Sequence, residues 1–121
     1  MSKLPIEIKK QLIELKIKTE DILNKKEILR NKLEKMTDDH EIIKLLDGEY
    51  RDNETNLTNT HKEIYEIVFS FDGCELLKNK NTTLEIIDCL PPGSIRYQVE
   101  KGYRIKFDTQ FNEKFLYFKD P

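Results

Sequence analysis

An apolar residue recurs at every seventh position through the first half of the chain: Ile8, Leu15, Ile22, Leu29, Met36, Ile43, Tyr50, Leu57 and Ile64. With these as heptad d positions, the a positions are Leu12, Thr19, Lys26, Leu33, His40, Asp47, Glu54, His61 and Val68. Such a sustained repeat predicts a coiled-coil helix, because slight under-winding keeps one seam turned toward a partner as the helices supercoil. Pro5 suits a first helical turn. One helix from residue 5 to residue 69 would be a rod of roughly 95 Å. Its dimerisation seam would comprise Ile8, Leu12, Leu15, Ile22, Leu29, Leu33, Met36, Ile43, Tyr50, Leu57, Ile64 and Val68, with Leu15, Leu29, Ile43 and Leu57 facing another polypeptide.

A second arrangement competes with the rod. Thr37-Asp38-Asp39 has the composition of a helix N-cap, so residues 5–35 and 39–70 also suit a helical hairpin. The d register crosses 36 and 43 without a skip, which favours the continuous helix.

The pattern changes after Phe71-Asp72-Gly73. Alternating β-branched and aromatic residues predict strands over Thr82–Leu90, Ser94–Val99, Tyr103–Phe107 and Glu113–Phe118, joined by turns at Pro91-Pro92-Gly93, Glu100-Lys101-Gly102 and Asp108–Asn112. The expected fold class is α+β: a coiled-coil rod over 5–69, then a small antiparallel β-meander head over 70–121. So short a head needs a helix across one face. Tyr65, Ile67, Val68, Phe69 and Phe71 would supply it from the rod's end.

This layout resembles kinetochore and chromosome-segregation stalk proteins, namely the monopolin core subunit and the short subunits of the outer-kinetochore microtubule-attachment complex. The segments that carry the likeness are His61–Gly73 (HKEIYEIVFSFDG), Thr83–Leu90 (TLEIIDCL) and Tyr103–Phe118 (YRIKFDTQFNEKFLYF). The resemblance implies an RWD-like head of a helix against a short sheet. It also implies a structural link that dimerises through the rod and docks receptor peptides on the head.

Charge refines the partner. Residues 1–35 carry a net +4 and residues 36–70 a net −6, while the whole chain is at −2. In a parallel homodimer Lys25 would face Arg30 and Lys26 would face itself, so a different coiled-coil chain with acidic flanks, or antiparallel pairing, is expected. The hairpin would instead set the basic half against the acidic half. His40 and His61 fall on a positions, where they suit either a polar seam layer or a pH-sensitive or metal-binding one.

Chemistry is sparse. The chain has no Gly-rich phosphate loop, no Ser-His-Asp set and no H-E-x-x-H, and no cofactor or catalytic residue is expected. Cys74 and Cys89 form no C-x-x-C and read as small buried or half-buried side chains in a reducing intracellular compartment, nuclear or cytoplasmic. No apolar run is long enough for a membrane span. Arg96, Lys101, Arg104 and Lys106, interleaved with Tyr97 and Tyr103, suit a nucleic-acid patch or a solvent-facing strand. The last strand, with Phe115 and Tyr117, is the candidate edge for docking a peptide or protein beside Tyr97 and Tyr103. The expected function is a non-catalytic structural adaptor. A nucleic-acid-binding module and a coiled-coil tether or chaperone subunit are the alternatives.

Overall fold

The computed structural model describes residues 4–101, Phe71 by its backbone alone, and the backbone of 105–109 and 112–116. Its dominant element is α1 (Ile6–Glu34), followed by α2 (Asp39–Leu45), one π-helical turn (Leu46–Tyr50) and α3 (Arg51–Val68). Three short helices follow: α4 (Phe71–Leu77), α5 (Lys80–Asp88) and α6 (Ser94–Lys101). Then come β1 (Ile105–Thr109) and β2 (Asn112–Leu116), an antiparallel pair with Phe107 opposite Lys114.

The single rod over 5–69 is not what the sequence builds. α1 ends at Glu34, and the chain reverses so that α3 packs back along α1. The signal for the reversal is Asp38. Its carboxylate accepts from the backbone N–H groups of His40 (2.9 Å) and Glu41 (3.4 Å), capping α2. A second break lies at Gly48, whose backbone leaves the helical region (φ −107°, ψ −107°) inside the π-helical turn. Glycine has little preference for staying helical, and the seven-residue series runs straight across it.

What the repeat encodes is an antiparallel pair within one chain. Leu12, Leu15, Thr19, Ile22 and Leu29 are buried on α1, and Asn53, Thr60, Ile64 and Val68 on α3. The two threonines have no exposed surface, and their hydroxyls donate to carbonyls one turn back, Leu15 (2.8 Å) and Asn56 (2.7 Å). With the hydroxyls satisfied on their own helices, these small side chains fit a closely packed interface. Asn53 donates its side-chain N–H to the Ile22 carbonyl across the pair (3.1 Å). The Lys26 ammonium lies 3.0 Å from Glu54 Oε1, a close ion pair without the angle of a good hydrogen bond.

The short helices close the far end of the pair. Ser70 caps α4 by accepting from Gly73 N–H (3.0 Å). Asn79 caps α5 by accepting from Asn81 (3.0 Å) and Thr82 (3.2 Å). Leu77, Ile86, Cys89, Leu90 and Val99 join Leu4, Leu12, Leu15, Ile64, Val68 and Phe69 in one core. Leu4 N–H donates to Glu85 (3.3 Å) and Lys16 to the Asp88 carbonyl (3.4 Å), which tie the start of α1 to α5.

The expected α+β class with a β-meander head is therefore overturned: the described elements are helices joined by short connections, apart from the paired 105–109 and 112–116 backbone. Thr82–Leu90 and Ser94–Val99, read as strands, form α5 and α6 with part of the loop between them. The reason is burial period. Thr82, Thr83, Ile86, Cys89 and Leu90 are buried at helical spacing, and Asn79 starts the helix. Glu100 and Lys101, read as part of a turn, are the last residues of α6.

Candidate protein-interaction surfaces

Most of the proposed dimerisation seam is used inside the chain. Leu12, Leu15, Ile22, Leu29, Ile64 and Val68 are buried, and Ile8, Leu33, Met36, Tyr50 and Leu57 are partly buried. Ile43 is the departure: on α2 it is 57% exposed. The hairpin itself buries Leu15 and Leu29 and partly covers Leu57.

A different set of apolar side chains is left outside. Ile6, Ile13, Ile17 and Ile28 on α1 are 81%, 39%, 54% and 66% exposed. At 3.6 residues per turn these four fall within roughly 60° of arc, opposite the buried face of α1. α1 thus carries isoleucines on its outer side too, interspersed with Lys10, Asn24 and Asn31, and the heptad pattern marks only the inner face. The available signal was the spacing of Ile6, Ile13 and Ile17 by seven and four residues, a second helical stripe in the same segment.

The second surface is an open groove of about 610 Å³ between α1, α3 and the start of α4. Its apolar lining is Ile8, Leu15 and Ile67. Glu14, Glu63, Glu66 and Asp72 line it as carboxylates, with Lys18 as the one basic residue.

The predicted docking residues are not brought together among the described residues. Tyr97 is exposed on α6, with the Lys101 ammonium 5.7 Å from its ring centroid. Phe115 lies in β2 opposite Lys106, whereas Tyr103 and Tyr117 lie outside the described residues. The basic strand patch changes character as well. Arg96 is helical and donates to Glu100 (2.8 Å), and Arg104 lies outside the described residues. His40 and His61 are both exposed, on α2 and α3, and do not form a buried layer. No group of three or more His, Cys, Asp or Glu among the described residues is arranged to hold a metal ion.

Burial pushes both thiols up from the ordinary range. At Cys74 the Glu75 carboxylate adds to the effect and Lys78 opposes it; at Cys89 Lys9 is the leading opposing charge. Both cysteines are free, and neither environment favours a thiolate nucleophile at neutral pH. Among the described residues no helix is long and apolar enough to cross a membrane.

Compared with protein-family models, curated proteins and solved structures, the chain finds no match in any of the three.

Proposed function

We propose that this protein is a non-catalytic adaptor that joins protein chains through its helices. The observation that supports it is the set of isoleucines on the outer side of α1. Ile6, Ile13, Ile17 and Ile28 are exposed, while Leu12, Leu15, Thr19, Ile22 and Leu29 on the opposite face of the same helix are buried. Exposed isoleucines gathered on one side of a helix favour cover by another polypeptide, since burying each side chain removes apolar area from water. The rod-and-head layout behind the likeness to chromosome-segregation stalks is not the one the chain adopts, so that setting is no part of the proposal. The adaptor role itself does not depend on the RWD-like head implied by that likeness, and Thr83–Leu90 is not a strand of one.

The test is a paired substitution on the stripe. Ile13→Asp with Ile17→Asp alters exposed positions and should leave the helical circular dichroism unchanged. Sedimentation of the purified chain, and recovery of partners from cells by affinity capture, should both be compared with the unsubstituted protein. Loss of self-association or of specific partners supports the adaptor. If both proteins sediment as monomers and recover the same set, the adaptor reading fails.

A further inference from the structure

We infer that the groove between α1, α3 and the start of α4 is a docking site for a basic amphipathic segment of a partner protein. This rests on the adaptor reading only in taking the ligand to be a protein segment; the groove is distinct from the isoleucine stripe. Two features of the groove point to the same occupant. Ile8, Leu15 and Ile67 give it an apolar lining, which suits a few aliphatic side chains projecting from one face of a peptide. Ile8 and Ile67 are only partly buried, so the occupant would remove more of their surface from water.

Charge then selects among apolar partners. Glu14, Glu63, Glu66 and Asp72 are all exposed, and with Lys18 the carboxylates of the lining exceed its ammonium groups by three. An acidic partner would bring like charges together at the rim, whereas lysines or arginines flanking an apolar stripe would meet carboxylates. Nucleic acid and anionic lipid surfaces are disfavoured at this face for the same reason.

The experiment measures fluorescence anisotropy of the full chain with three labelled helical peptides. The first is built of leucine and lysine with leucines on one face. The second replaces lysine by glutamate. The third keeps lysine and replaces leucine by serine. Saturable binding of the first alone is the expected result. Glu63→Lys with Glu66→Lys, at exposed α3 positions, should weaken it about tenfold or more. Glu20→Lys with Glu27→Lys, a charge-matched pair outside the groove lining, should leave it unchanged. Circular dichroism confirms that both variants keep their helices.

Any of four outcomes overturns the inference: no saturable binding of the first peptide, equal binding of the glutamate peptide, equal binding of the serine peptide, or equal weakening by the two variant pairs. Failure here with retained dependence of assembly on Ile13 and Ile17 removes the groove and leaves the adaptor. Failure of both removes both.

Discussion

At Gly73 a β-carbon would run into the carbonyl oxygens of Ile67 and Val68, where α3 hands over to α4. Those atoms are backbone and cannot swing aside as a flexible side chain would. Gly73→Ala should therefore cost about 1–3 kcal/mol, as overpacking at a tight site does, and lower the thermal midpoint by several degrees in a calorimetric scan. Gly93 requires glycine for another reason. Its φ of +150° is backbone that L side chains rarely adopt, although space around it is open. The two thiols make a pH prediction. Their folded pKa values are raised by burial, so folding favours the neutral form. That contribution is complete below the unfolded thiol value, about 8.5, and is lost as pH rises through the folded values. Stability in chemical denaturation should fall on the alkaline side, and less so in a Cys74→Ser, Cys89→Ala protein. Alkylation of Cys74 at neutral pH should be slower than that of free cysteine.

Among the elements, α1 and α3 show what the heptad pattern does and does not encode. The inward residues were legible: Leu12, Leu15, Ile22, Leu29, Ile64 and Val68 lie on the predicted a and d positions and are buried. Whether they face another chain or a later part of their own was not legible, because a hairpin that reverses without losing register leaves the sevenfold series intact. The charge halves pointed toward the hairpin, and Lys26 with Glu54 shows how: the a-position lysine that would face itself in a parallel dimer meets an a-position glutamate of its own chain. Both side chains are partly exposed, so the pair is worth about 0–1 kcal/mol. A double-mutant cycle over Lys26→Glu and Glu54→Lys should show each single reversal destabilising and the double reversal recovering most of the loss. α5 was hidden for a different reason. Its Thr, Ile and Leu content suits a strand, and tertiary burial at spacings of three and four residues decided otherwise. The cue was Asn79, whose side chain caps two N–H groups. Asn79→Ala should cost about 1 kcal/mol, read as a lower denaturant midpoint with unchanged slope.

For the whole molecule, the reversal at residues 35–38 converts a long spacer into a short helical pair with its chemistry on the outside. A rod of roughly 95 Å would set the distance between its ends, whereas α1, with 29 residues, spans only roughly 44 Å. On the proposed adaptor role, such a shape would bring partners together side by side, with the exposed isoleucines on one face of α1 and the acidic groove beside α3. The distance between Glu20 and His61 separates the two shapes. Both are exposed, on α1 and α3, so probes there leave the core intact. In a continuous helix they would stand roughly 60 Å apart at 1.5 Å per residue. In the hairpin they lie on neighbouring antiparallel helices, whose axes pack about 8–10 Å apart. Spin labels placed at these two positions, in a background with Cys74 and Cys89 replaced, should give a dipolar distance of about 15–30 Å once the label arms are added to the interaxial spacing. The measurement should be made in protein diluted with an excess of unlabelled chain, so that any contact between copies drops out and only the intrachain distance remains. A distribution centred near the long value would mean that the helices open into a rod, and the seam residues would then be free to take a partner. The short value, retained at high salt, would mean that apolar burial holds the pair closed and that the Lys26–Glu54 attraction only trims its stability.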